Sequence, residues 1–205
     1  MLKGDFSADL QWACNSFFRF RLKGAFPDYG ISCLVTRTAP LWRSTCLHIF
    51  QRLIMKLVIS LAITLAVGFL AGYATIQSVN TWYTQLAKPS FNPPNSVFGP
   101  VWTVLYILMA ISLYLVWKQP PSPARNKAML LFFIQLALNF AWSFIFFYYH
   151  KIGLALVDII ILWIFLFITI LLFRRFSTAA AWLLAPYLAW VSFATVLNMS
   201  IFKLN

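Results

Sequence analysis

Trp82-Tyr83-Thr84-Gln85-Leu86-Ala87-Lys88-Pro89-Ser90-Phe91-Asn92-Pro93-Pro94-Asn95-Ser96-Val97-Phe98-Gly99-Pro100-Val101-Trp102 is the stretch from which the rest of the chain can be read. Pro89, Pro93, Pro94 and Pro100 remove backbone donors and bias each preceding residue away from helical geometry. The first half is therefore no membrane span. It is nevertheless rich in aromatics and nearly free of charge, whereas a solvated linker is Ser-, Glu- and Lys-rich. This predicts a stiff loop lying against apolar surface. From Pro100 a long apolar helix is predicted as far as Trp117, with Trp102 and Tyr106 one turn apart on one face. Two readings fit: the lid and wall of a pocket, or an aromatic belt at the membrane–water boundary.

Composition identifies the solvent. The chain of 205 residues is 62% hydrophobic and 10% charged, with mean hydropathy +0.81. Soluble domains run at about 45–50% apolar and about 25% charged. This is a polytopic membrane chain, with the lipid bilayer as its surroundings. Its net charge of +12 comes from residues lying between the apolar runs, where they act as topology determinants. It is not a nucleic-acid footprint, and no nucleic-acid partner is expected. Cys14, Cys33 and Cys46 all precede the apolar runs, so neither a disulfide framework nor thiol chemistry is available within the membrane. His48 and His150 lack partners at metal-ligand spacing, and no metal is expected.

Residues 1–54 differ from the rest. They hold seven Lys/Arg and three of the four acids and have no sustained apolar run. The reading is an N-terminal extension, either disordered or a start assigned too far upstream, with Met55-Lys56-Leu57-Val58 beginning the membrane domain at 55–205. A mitochondrial presequence around Phe17, Phe18, Arg19, Phe20 and Arg21 is the alternative. Asp5, Asp9 and Asp28 count against it, because transit peptides are acid-poor.

Five apolar runs follow, at 57–76, 97–117, 127–149, 153–173 and 179–202, each near the ~20 residues that cross a bilayer. The predicted fold is all-α, a five-helix transmembrane bundle with a long proline-rich lid loop between helices 1 and 2. Gly68 and Gly72 form a small-xxx-small pair for close helix contact. Pro186 is expected to kink the last helix. Short loops at 119–126, 150–152 and 174–178 force antiparallel neighbours. No internal repeat supports a carrier built from inverted halves. Lys56, Lys118, Arg125, Lys127, Arg174 and Arg175 fall on one side, against Lys88, Lys151 and Lys203 on the other. That bias predicts a cytoplasmic N-terminus for the membrane domain and a proline-rich loop on the opposite face.

Polar side chains at membrane depth need a partner or a function. Gln135, Asn139 and Trp142 share one face of the third helix. Tyr187, Trp190, Ala194 and Asn198 lie near one face of the fifth. Interhelical hydrogen bonding accounts best for Asn198 and Asp158. Asn139 with Trp142 reads as part of a pocket with Trp102 and Tyr106, since flat apolar ligands want aromatic walls and a few polar anchors. No paired carboxylate, Ser-His-Asp set or Gly-rich phosphate loop is present.

Several of these stretches resemble the tryptophan-rich sensory protein / translocator protein family, once called peripheral-type benzodiazepine receptors. They are Trp82-Tyr83, the run from Lys88 to Pro94, Phe98-Gly99-Pro100-Val101-Trp102 and Leu138-Asn139-Phe140-Ala141-Trp142. Ala155-Leu156-Val157-Asp158, Pro186-Tyr187-Leu188-Ala189-Trp190 and Phe193-Ala194-Thr195-Val196-Leu197-Asn198 complete the set. The similarity runs in order over about 57–205. It implies a five-helix bundle, commonly a homodimer, with a pocket inside each monomer under the first loop. The ligands it implies are porphyrins, haem and related tetrapyrroles, cholesterol in animal members, and synthetic isoquinoline carboxamides and benzodiazepines. No obligatory cofactor is implied. Carried over by motif, the ligand-binding residues are Tyr83, Pro93, Trp102, Tyr106, Asn139, Trp142, Trp190, Ala194 and Leu197.

Trp102 and Trp190 fall where bacterial relatives have tryptophans implicated in light-dependent porphyrin breakdown, so they would be the catalytic pair if the chain is an enzyme. Met199 stands where the animal sterol motif has a Tyr, and Leu108, Tyr114 and Lys118 match that motif only loosely. A bacterial-type tetrapyrrole receptor or sensor in the cell membrane is therefore expected. A porphyrin-degrading enzyme and a sterol or tetrapyrrole transporter are the alternative functions, and the mitochondrial outer membrane is the alternative location.

Overall fold

The computed structural model describes the backbone of residues 39–205 and the side chains of residues 50–205. The chain divides into two units, Met1–Arg52 and Leu53–Asn205. The extension read at 1–54 lies mostly outside the described residues.

Five long helices account for most of what is described: α1 (Ala39–Val79), α2 (Asn95–Trp117), α3 (Pro123–Ser143), α4 (Ile152–Arg174) and α5 (Thr178–Leu204). Each holds a segment long and apolar enough to cross a membrane, from Phe50–Val79 in α1 to Thr178–Leu204 in α5. The chain is a multi-pass integral membrane protein.

Helix starts follow local chemistry. Ser122 caps α3 by accepting from the Arg125 amide at 3.1 Å, with Pro123 at the first helical position. Ser177 caps α5 through the Ala180 amide at 3.3 Å. Both satisfy a donor that a helix N-terminus leaves free. α2 starts at Asn95, ahead of the Pro100 expected to open it, and carries Pro100 inside. Pro100 is the sixth residue of α2, where it removes the amide bond to Ser96 O and crowds that carbonyl.

The third span departs from a plain helix. After Ser143 the backbone widens into a π segment, Phe144–Tyr148. The Tyr149 amide donates to Phe144 O at 2.9 Å, and the Lys151 amide to Ile145 O at 3.0 Å. His150 then takes φ +57°, ending the span in a left-handed residue. Its ring stacks on Trp82 at 4.2 Å, and Nε2 lies 3.3 Å from Ser78 Oγ.

The closest pairings are α4 with α5, α3 with α4, and α2 with α5. Met109, Leu113, Phe132, Leu162, Leu166, Phe173, Leu184 and Tyr187 are fully enclosed between them. Lipid tails are as apolar as these side chains, so tight packing and interhelical hydrogen bonds must set the arrangement. Ser112 donates to Ala180 O at 2.8 Å, joining α2 to α5. Trp163 Nε1 donates to Ser192 Oγ at 2.8 Å, joining α4 to α5.

α1 docks differently. Its buried residues are Ser60, Thr64, Ala71, Ala74 and Ser78, all small, while Phe69 is 76% exposed. The Gly68/Gly72 pair does not bring two helix backbones together. A Cβ at Gly68 would sit 2.5 Å from Tyr106 Cδ2, whereas one at Gly72 would meet nothing within 4 Å. Gly68 is the seat for an aromatic ring from α2, and Gly72 faces open space. Gly68→Ala should therefore displace Tyr106 and lower thermal stability in detergent by about 1–3 kcal/mol. Gly72→Ala should leave stability unchanged or raise it, since Ala is the better helix former. Melting curves of the two variants, run in parallel, decide. Identical behaviour would remove Gly68 from this role.

Candidate functional site

A cavity of about 430 Å³ lies at the loop end of the bundle. α1 contributes Ala71, Gly72, Thr75, Ile76 and Val79, and α2 contributes Phe98, Gly99, Trp102, Thr103 and Tyr106. Trp142, Ser143, Phe146 and Phe147 come from α3 and its π segment, and Trp190, Ala194, Leu197, Asn198 and Ile201 from α5. The volume falls within the ~300–1,000 Å³ usual for small-molecule sites.

Trp102 is the centre of the aromatic wall. Its ring lies 5.7 Å from Tyr106, 6.1 Å from Tyr187 and 6.4 Å from Trp190, the last at 87°. Phe98 meets Trp190 edge-on at 6.1 Å, and Phe193 packs on Trp190 at 5.6 Å. On the opposite side Trp142 stacks on Phe146 at 5.2 Å and meets Phe147 edge-on at 5.9 Å. Phe146 and Phe147 lie in the π segment and are both buried at the wall.

Polar anchoring is sparse. The Tyr106 hydroxyl donates to Asn139 Oδ1 in the buried layer behind the wall. With its amide oxygen turned inward, Asn198 accepts from Trp142 Nε1 at 3.2 Å and from the Leu156 amide at 3.3 Å. That joins α3, α4 and α5 at the cavity floor. Trp190 Nε1 and the Tyr187 hydroxyl are buried with no hydrogen-bond partner among the described residues.

The proline-rich loop reaches the cavity at both ends, through Tyr83 on one side and Asn95 and Ser96 on the other. A single helical turn, Trp82–Gln85, buries Tyr83, whose hydroxyl donates to Asn92 Oδ1 at 2.8 Å. Lys88 Nζ sits 4.6 Å from the centre of the Tyr83 ring. Phe91 meets Phe193 edge-on at 6.3 Å. Asn205 pairs with Ala87 in both directions, accepting from its amide and donating to its carbonyl at 3.0 Å each.

Of the nine residues singled out from sequence, Tyr83, Trp102, Tyr106, Trp142, Trp190, Ala194 and Leu197 line this one cavity. Asn139 stands one layer behind, holding Tyr106. Pro93 lies in the loop and off the wall, where its carbonyl accepts from Asn92 Nδ2 at 3.1 Å. The contributions of α1 and of Phe98, Phe146 and Phe147 were not singled out. Gly72 was visible in the small-residue pair, and the aromatic run 144–149 was visible as composition, but neither signals a cavity.

The TspO/MBR family profile matches residues 60–204. The chain belongs to the TspO/MBR family. It is 46% identical over 142 residues to the tryptophan-rich protein TspO of Chlorobaculum tepidum, covering 67% of this chain and 88% of that protein. It is 47% identical over 139 residues to the tryptophan-rich protein TspO of Archaeoglobus fulgidus, covering 67% and 89%. The translocator protein of Homo sapiens is 43% identical over 127 residues, covering 60% and 75%. The match takes in every cavity-lining residue named above.

Burial holds the Tyr83 phenol up at about 12, against the usual value near 10. The folded loop thus favours the neutral phenol. That contribution to loop docking is present in full below pH ~10 and is lost as pH rises through the folded value. In an alkaline titration followed by tyrosinate absorbance, Tyr83→Phe should remove one late-titrating phenol. Loss of only an ordinary, early-titrating phenol would contradict this burial.

Proposed function

We propose that this member of the TspO/MBR family is a membrane receptor or sensor that binds porphyrins and related tetrapyrroles in the cavity between α1, α2, α3 and α5. What carries the reading is the pairing of a three-tryptophan wall with very few polar groups. Trp102, Trp142 and Trp190 line one space, and flat aromatic ligands gain from edge and face contacts with such rings. Trp190, which lines the cavity, carries a buried Nε1 with no partner among the described residues. The names of the relatives, tryptophan-rich protein TspO and translocator protein, accord with a sensing or translocating role. The proline-rich loop serves as a cover whose prolines limit the entropy lost on closing. The basic-residue bias supports a cytoplasmic N-terminus for the membrane domain with this cover on the opposite face, and a bacterial cell membrane is the proposed setting.

A second reading, light-dependent porphyrin degradation, draws on the edge contact between Trp102 and Trp190 at 6.4 Å. That spacing would let an oxidising equivalent pass between the rings. Binding of protoporphyrin IX to the chain in nanodiscs, followed by tryptophan quenching in darkness and in light, separates the two. A stable one-to-one complex supports the receptor, and loss of many equivalents of porphyrin per protein under light and oxygen supports the enzyme.

Trp102→Ala should weaken protoporphyrin binding by about 1–3 kcal/mol while the chain still folds. Aggregation with unchanged affinity of the soluble fraction would make Trp102 a core residue instead. Ala194→Thr adds a β-branch and a hydroxyl at the cavity wall. Porphyrin affinity should fall with little change in melting temperature. A large drop in melting temperature at unaltered affinity would place Ala194 in helix packing, where overfilling costs about 1–3 kcal/mol.

A further inference from the structure

The cavity has two approaches, and they are built differently. At the loop end the chain is tied down repeatedly. Ala87 is paired with Asn205 in both directions, Tyr83 is hydrogen-bonded to Asn92, and Trp82 is stacked on His150. The flank between α1 and α2 is built otherwise. Among the described residues the α1–α2 ties lie away from the loop end: Lys56 Nζ donates to Trp117 O at 3.2 Å, and the Tyr106 ring is seated on Gly68. Nearer the loop, Ile76 on α1 and Gly99 and Thr103 on α2 line the cavity and are also exposed at the protein surface. Ile76 is 70% exposed. Gly72 and Gly99 border the same space, and a Cβ at either would meet nothing within 4 Å. α1 holds few large side chains against its neighbours, so nothing bulky fills the gap.

The flank is also apolar. No charged residue occurs from Gly68 to Val79 or from Asn95 to Trp117. Both segments belong to membrane-crossing helices, so this slot faces acyl chains, not water.

We propose that the cavity is loaded sideways, through a slot between α1 and α2 framed by Gly72 and Gly99, by planar lipophilic molecules already dissolved in the loop-side half of the bilayer. The loop stays in place during loading. This rests on the tetrapyrrole reading for the identity of the ligand but not for the existence of the slot. It adds a route and a delivery medium: the ligand must partition into lipid before it binds, and a water-soluble analogue of the same ring is excluded. Glycine at both positions keeps the slot wide, while Thr75 and Thr103 supply the few hydroxyls along it.

The test uses the full chain in nanodiscs, with Gly72→Leu, Gly99→Leu and the double variant. Protoporphyrin IX supplied in the lipid is the probe for rates. Association and dissociation should both slow, by about tenfold in the double variant, as expected for a narrowed passage. A damaged wall would instead quicken dissociation. Unchanged association, or faster dissociation, overturns the slot. A second readout needs no porphyrin. Lipids brominated in the acyl chain should quench a fluorescence component that Trp102→Phe removes, and the double variant should shield that component. Absence of such quenching in the unsubstituted chain overturns the slot even where porphyrin binds. Quenching that the leucines abolish, in a chain that binds no porphyrin, upholds the slot and refutes the tetrapyrrole reading.

Discussion

Tyr106 is held from two directions, and most of the site depends on that. Its hydroxyl donates to Asn139 on α3, and its ring occupies the space that Gly68 leaves on α1. One side chain on α2 thereby sets the spacing of three helices. In lipid the hydrophobic effect gives helices little reason to pair, so positions are decided by close fit and a few hydrogen bonds. Leaving the buried Asn139 oxygen unpaired would cost about 1–3 kcal/mol, which is large beside the small net stability of a domain. Trp102 packs on Tyr106 one turn along the same helix. The central wall of the cavity inherits its placement from that anchor.

The opposite wall comes from a backbone irregularity. A regular helix turns each successive side chain by about 100°, so neighbours in sequence diverge. The wider π turn at Phe144–Tyr148 relaxes that rule and helps both Phe146 and Phe147 reach the cavity side. Such segments frequently mark functional places in helices. Here the distortion ends at His150 with φ +57°, a conformation that a non-glycine residue holds only when its surroundings fix it. Stacking of the His150 ring on Trp82 supplies that fixation and links the end of α3 to the start of the proline-rich loop.

The five spans were legible because apolar runs near bilayer length, separated by short polar loops, admit little else. Their limits were less so. Gln77 and Ser78 look like loop by composition but remain helical in α1. Pro94, not Pro100, marks the start of α2, because proline is tolerated near a helix start and no periodicity signal distinguishes the two. Helical spacing correctly put Gln135, Asn139 and Trp142 on one face, yet that face spans two environments. Trp142 reaches the cavity, whereas Asn139 meets Tyr106 behind it. The π segment left no mark that a run of aromatics would not also leave in a regular helix. Family motifs brought seven cavity residues together from four separate stretches, which spacing alone could not do. Gly99 stood inside one of those motifs and Gly72 in none, but the contribution of each is the absence of a side chain, which no motif residue announces.

Selectivity in such a site comes from what is left unpaired as much as from what is matched. Most of the wall is aromatic carbon, which accepts any flat apolar ring of suitable size with only modest discrimination. Trp190 Nε1 is different, because it is a buried donor without a partner among the described residues. A wholly apolar ligand leaves Trp190 unsatisfied, while one carrying an acceptor at its rim removes that penalty, and the difference is about 1–3 kcal/mol for a buried polar group. A tetrapyrrole with peripheral carboxylates offers both the flat ring and the acceptor. A sterol offers neither a π-face nor more than a single hydroxyl. On the proposed tetrapyrrole reading, the aromatic wall would supply contact area, and the buried indole donor of Trp190 would favour a ligand that brings an acceptor.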